Sequence, residues 1–153
     1  MYSSWTKEKH EGLRIFDLRN STLSIVPSSE DKVSPFWIDQ NTLIAATVDQ
    51  NKLVTFDFES GKWSDLLDSP VVEFMPSPDG KYIYYTTAGS DPSVSRIEVA
   101  DHKVVLLTSL KDLRRVVDTD PNTTQLSVAP DGSPVYTRDI GTQEIYALTV
   151  KWP

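Results

Sequence analysis

Few residues in this 153-residue chain can do chemistry, and their spacing limits what they can do. There is no cysteine, which removes disulfides, thiol nucleophiles and thiolate metal sites. The two histidines stand apart. His10 lies in the polar stretch TKEKHEG and His102 in ADHK between two apolar runs, so each reads as a solvated turn residue rather than a general base. No G-x-S-x-G accompanies them, which argues against the hydrolases that carry that motif. Two isolated histidines without cysteine also make a poor zinc site. Asp118, Asp120 and Asn122 in DTDPN imitate the first ligands of a calcium loop. Thr123 stands where that loop needs glycine, and Ala129 where it needs a bidentate Glu. The segment therefore reads as an acidic loop with an Asp-Pro turn. No Walker loop and no G-x-G-x-x-G occurs, and six glycines leave little room for one. No cofactor and no metal is expected, and catalytic residues are expected to be none.

Carboxylates and cations remain. Asp17, Asp57 and Glu98 recur at equivalent strand ends. A glycosidase pair needs two carboxyls facing one pocket, whereas a repeated position suggests hydrogen bonding between units or a solvated turn. Lys111, Arg114 and Arg115 cluster in one loop, and Arg138 and Asp139 close a later strand. These five are candidate rim contacts to a partner, because long loops carry binding. The alternative is a solvated loop whose arginines pair with Asp112 or Asp118.

Composition narrows the partners. Apolar residues at 39% and charged residues at 24% suit one folded core rather than a disordered chain. Fifteen Lys and Arg against 22 Asp and Glu give a net charge of −7, unsuited to nucleic acid or an anionic membrane surface. No apolar run approaches the ~20 residues of a membrane span. MYSSWTKEKHEG has no apolar h-region, so it does not read as a signal peptide. The default compartment is cytoplasmic, or periplasmic if the chain is part of a membrane-anchored longer protein.

The elements that must position these residues read as strands. GLRIFDL (12–18), TLIAATV (42–48), KLVTFDF (52–58), KYIYYTT (81–87), VSRIEVA (94–100), KVVLLTS (103–109) and EIYALTV (144–150) are short, β-branched and aromatic. Residues 2–5 and 21–27 supply further strands. SLKDLRRVVD (109–118) reads as a helical turn or an ordered loop. The strands repeat. WIDQNTLIAAT (37–47) lies over SPDGKYIYYTT (77–87) at an offset of 40, and TFDFESGKW (55–63) over RIEVADHKV (96–104) at 41. IFDLRNSTL (15–23) lies over TFDFESGKW at 40, and APDGSPVYTRD (129–139) lies over SPDGKYIYYTT at 52. The extra residues place an inserted loop at 110–123.

Four short strands per ~40 residues is the period of β-propeller blades. An antiparallel sandwich would share the short strands but not the register matches. The expected fold is all-β, with propeller blades of four antiparallel strands and about three and a half blades. The blades run 1–30 (partial), 31–69, 70–110 and 111–153 (partial) within a single segment, 1–153. Pro78-Asp79-Gly80 and Pro130-Asp131-Gly132 then read as turns, not catalytic carboxylates: Pro presets φ, Asp bonds nearby N–H groups and Gly supplies φ > 0. Asp39-Gln40-Asn41 is the altered form, with Asn41 suited to a left-handed conformation. The bulky Tyr82-Ile83-Tyr84-Tyr85 reads as a strand packed on both faces between two blades.

SPDGKYIYYTT resembles the repeat of TolB-like and WD-like propellers. SLKDLRRVVDTDPNTTQLSVAPDGSPVYTRDIGTQEIYALTVKWP (109–153) is similar to the closing segment of TolB-like propellers of Acidobacteria type, and FDFESGKWSDLL (56–67) fits the same group. The resemblance implies the C-terminal sensory or interaction propeller of a larger bacterial regulator, binding a protein or peptide without catalysis. A partial ring also leaves open a second copy closing the propeller, as a self-contained homodimer that takes a small ligand or peptide.

Overall fold

The structure is a computed structural model that describes residues 2–5, 10–87, 89–113, 126–138 and 140–141. Thirteen strands are present among them. Strands β1 (Tyr2–Trp5), β2 (His10–Asp17) and β3 (Thr22–Ile25) form a three-stranded antiparallel sheet. Strands β4 (Lys32–Trp37), β5 (Thr42–Thr47), β6 (Lys52–Asp57) and β7 (Lys62–Asp68) form the first complete blade. Strands β8 (Glu73–Pro76), β9 (Tyr82–Thr86), β10 (Ser93–Glu98) and β11 (Val104–Ser109) form the second. Strands β12 (Leu126–Val128) and β13 (Pro134–Tyr136) pair as the described part of a fourth sheet.

Each complete blade is a meander in chain order, so every connection within it is a hairpin. The first strands β4, β8 and β12 neighbour one another, which makes them the inner strands. The core is divided between the sheets. Leu13 and Val26 pack against Leu43, Ala45, Val54 and Phe56. Ile44, Ala46 and Leu53 pack against Phe74, Ile83, Tyr85 and Ile97. Tyr84 and Val94 pack against Leu110 and Leu126. Successive residues of one strand therefore serve different interfaces: Leu43 looks back and Ile44 forward, and Ile83 back and Tyr84 forward. This is why β5 and β9 are bulky on both faces.

Backbone conformation repeats with the sequence. Ser21, Gly61 and His102 occupy the same place in the 40- and 41-residue alignment, and all three are left-handed, with φ of 52°, 67° and 58°. Each lies in the hairpin joining the last two strands of its sheet, so the turn geometry persists through three residue types. Asp57 and Asp17 serve these turns from the strand end. Asp57 accepts Ser60 N–H at 2.6 Å and Asp17 accepts Arg19 N–H at 2.8 Å. The repeated carboxylates Asp17 and Asp57 thus stay within their own hairpins.

Two expectations change. Asn41 is not left-handed. The Asp39 carboxylate instead closes that turn, accepting the N–H groups of Asn41 and Thr42 at 2.8 Å each. The helical reading of 109–118 fails over its described part: Ser109 ends β11, and residues 110–113 make one turn closed by Leu113 N–H to Leu110 O at 3.1 Å. The expected strand at 144–150, the DTDPN loop and most of the inserted loop lie outside the described residues.

Candidate functional site

The two Pro-Asp-Gly turns stand side by side on one rim. In the first, Gly80 N–H bonds Ser77 O at 2.9 Å, closing a four-residue turn with Pro78 and Asp79 at its centre. Asp79 accepts the Ser77 hydroxyl at 2.7 Å and Lys81 N–H at 3.2 Å. Those bonds, led by the Ser77 hydroxyl, hold its carboxyl below the usual range. In the second, Gly132 N–H bonds Ala129 O at 2.9 Å, and Asp131 accepts Ser133 N–H at 2.9 Å, with its pKa also lowered. Each turn leans on the preceding blade. At Gly80, φ is +70° and a Cβ would sit 2.5 Å from Ile38 O, so both conformation and space demand glycine. At Gly132, the carbonyl accepts the Tyr84 hydroxyl at 2.6 Å.

Between the turns lies a cleft of about 280 Å³ whose walls include Asp79, Tyr82, Tyr84, Arg96 and Asp131. Arg96 sits 4.4 Å over the Tyr82 ring, within cation–π range. Its Nε is shielded from solvent and has no hydrogen-bond partner among the described residues. A second, smaller cleft of about 220 Å³ runs along the inner strands, lined by Ser34, Phe36, Glu73, Met75 and Leu126 among others. Burial raises the Glu73 pKa, and its carboxylate accepts Leu126 N–H at 3.0 Å, tying blade to fourth sheet. No other titratable group among the described residues lines that cleft.

Of the rim residues expected from sequence, Lys111 and Arg138 are exposed, and neither forms an ion pair with a described residue. Arg114, Arg115 and Asp139 lie outside the described residues. Pro78, Asp79, Gly80, Pro130, Asp131 and Gly132 form the turns expected of them. Sequence reasoning passed over Arg96 and Glu73, and read Tyr84 as packing between blades, as it does. The signal for Arg96 was present in the repeat, since Thr55 and Ile15 hold its place in the other sheets.

One further surface stands out. Phe16, Phe56 and Ile97 are equivalent in the repeat. Phe56 is 2% and Ile97 1% exposed under the preceding sheet, whereas Phe16 is 47% exposed. Leu23 pairs with Phe16 across the hairpin, and Ile25 lies on the same face; both are exposed.

Four-stranded antiparallel blades, joined in chain order around neighbouring inner strands with a core between each pair, define a β-propeller. The chain matches the 6-bladed beta-propeller family over residues 32–118 and belongs to it. Among solved structures, TolB from Acinetobacter baumannii is similar with a TM-score of 0.64 at 21% identity, over 85% of this chain and 32% of TolB. A chain of the nidogen/laminin complex gives 0.60 at 12% identity, over 83% of this chain and 48% of that one. The tricorn protease gives 0.56 at 15% identity, over 69% of this chain and 10% of that one. At such identities the likeness carries the fold alone. The chain spans about a third of the length of TolB. No curated protein matches the sequence.

Proposed function

We propose that this chain is a non-catalytic interaction module, working as part of a propeller in a larger bacterial regulator. The observation that carries the reading is the bare face of the first sheet, where Phe16 is exposed at the position of the buried Phe56 and Ile97, with Leu23 and Ile25 exposed beside it. Exposed apolar surface of this kind marks an interaction site. The occupant is a further blade, because the preceding sheet is what covers Phe56 and Ile97 in this same chain. A 6-bladed family also calls for more blades than the four sheets described. The free edge of β1, paired only with β2 among the described residues, invites one more strand.

Absence of catalysis is supported by the state of the rim carboxylates. Asp79 and Asp131 are engaged by their own turns and held ionised, so they make poor general acids. Peptide or glycan hydrolysis by the purified chain, lost on substituting one carboxylate, would overturn this part.

Light scattering coupled to size-exclusion chromatography tests the face. The chain is expected to self-associate with rising concentration, and Phe16→Asp with Leu23→Asp to abolish this while circular dichroism stays β-rich. A parent chain that remains monomeric at all concentrations counts against the face as an interaction surface. A discrete dimer, lost on the same substitutions, assigns the occupant to a second copy instead.

A further inference from the structure

The rim cleft between the second complete blade and the fourth sheet departs from its repeats in one direction. At the place held by Ile15 and Thr55, whose side chains look toward the next sheet, this blade carries Arg96. Where Ile44 stands in the preceding blade, it carries Tyr84, and where Thr42 stands, Tyr82. These three residues converge on one cleft with the carboxylates of both Pro-Asp-Gly turns. Propeller packing alone does not require a cation here, since the neighbouring interface closes with Ile44 among aliphatic and aromatic partners.

The charges are arranged without being spent on one another. No ion pair joins Arg96 to Asp79 or Asp131. The Tyr82 ring holds the guanidinium at 4.4 Å, and the shielded Nε–H has no acceptor from a described residue. Among the described residues, no carboxylate meets the positive charge of Arg96, although the side chain lines the cleft. Asp131 is held by the backbone and hydroxyl of Ser133 in its own turn, and it forms no ion pair with a described residue. A cation-side donor and an anion-side acceptor therefore face one space of about 280 Å³, at the small end of ligand pockets.

We propose that this cleft binds a small zwitterion of the α-amino acid type, its carboxylate on Arg96 and its ammonium on Asp131. Arg suits the carboxylate because its planar donors are fixed and always charged. The Pro-Asp-Gly backbone fixes the acceptor, since Asp131 is locked to its own turn. A simple anion would meet two ionised carboxylates, and a simple cation would meet the guanidinium, so a ligand carrying both charges fits best. This site is independent of the bare face of the first sheet.

Titration calorimetry on the full chain tests it, with the twenty proteinogenic α-amino acids one at a time and with acetate and methylammonium as half-ligands. At least one amino acid is expected to bind saturably at one site per chain, and the half-ligands at least tenfold more weakly. Arg96→Met, which keeps an apolar stem over Tyr82, is expected to weaken binding tenfold or more. Asp131→Asn at an exposed turn keeps the fold and is expected to do the same. Lys111→Met, a rim cation outside the cleft, is expected to change nothing. If no amino acid binds, if acetate binds as well as the amino acid, or if Asp131→Asn leaves affinity unchanged in a folded protein, the proposal is wrong.

Discussion

The two Pro-Asp-Gly hairpins share a turn and differ in register. In β8–β9, Ser77 N–H bonds Tyr82 O at 2.8 Å, leaving residues 78–81 in the loop. In β12–β13, Ala129 N–H bonds Ser133 O at 2.9 Å, leaving only 130–132. The pairs shift accordingly: Pro76 meets Ile83 in the first hairpin, whereas Val128 meets Pro134, the counterpart of Tyr82, in the second. A one-residue shift turns side chains to the other face. Ile83 is fully buried, but its counterpart Val135 is half-exposed, and Tyr136 turns inward to pack against Tyr84 and Leu126. The cause lies beside the motif, not within it. The Ser77 hydroxyl accepts Tyr82 N–H at 3.0 Å, which satisfies the extra loop residue. At the second turn, Ala129 has no hydroxyl and Pro134 has no N–H, so nothing holds the wider loop open.

The comparison can be broken most forcefully at the glycines. Gly80→Ala meets both left-handed strain and the Ile38 carbonyl, and is expected to lose roughly 2–4 kcal/mol. Gly132→Ala meets only the strain, since its nearest neighbour would be the Tyr84 hydroxyl at 3.8 Å, and is expected to lose roughly 1–2 kcal/mol. Urea midpoints of the two variants read the difference directly, and equal losses would deny that the first turn is wedged against its neighbour.

Ser77→Ala sharpens the register argument. It removes the acceptor of Tyr82 N–H and the donor to Asp79, for an expected loss of about 1 kcal/mol. NMR titration of Asp79 should show its pKa moving up toward the ordinary carboxylate range, while Asp131 stays where it was. Ala129→Ser should leave stability nearly unchanged, because Pro134 offers no N–H to accept. A large gain there would refute the explanation.

The smallest effect is the pH dependence. Asp79 and Asp131 have folded pKa values below their unfolded ones, so both carboxylates contribute stability that is present above the unfolded pKa and lost as pH falls through the folded one. Glu73 acts in the opposite sense: its raised pKa makes ionisation unfavourable to the fold as pH rises through the carboxylate range. Acid titrations of Asp79→Asn and Asp131→Asn should each be flatter at low pH than the parent, and that of Glu73→Gln steeper.

The blades were legible because their signal is local and repeated. Short β-branched runs, turn residues and the 40-residue offset placed every described strand from β5 to β11 within a few residues, except β7 and β8, which were implied only by counting four strands to a blade. The cleft was not legible in the same way. Arg96 lies 17 residues from Asp79 and 35 from Asp131 in the chain. Only the packing of one blade on the next sheet brings the three to one space. Phe16 shows the same limit from the other side, since a Phe at this repeat position reads as core in every blade.

Sequence by itself therefore determined the strand content, the blade repeat and the turn chemistry, all of which follow from backbone preference and side-chain alternation over a few neighbouring residues. Tertiary structure alone decided three things. The second Pro-Asp-Gly hairpin is one residue tighter than its twin, one Phe of the repeat stays uncovered, and Arg96 shares a cleft with two carboxylates without an ion pair to either. Each depends on which blade face meets which neighbour, a relation set by packing between sheets rather than by residues adjacent in the chain.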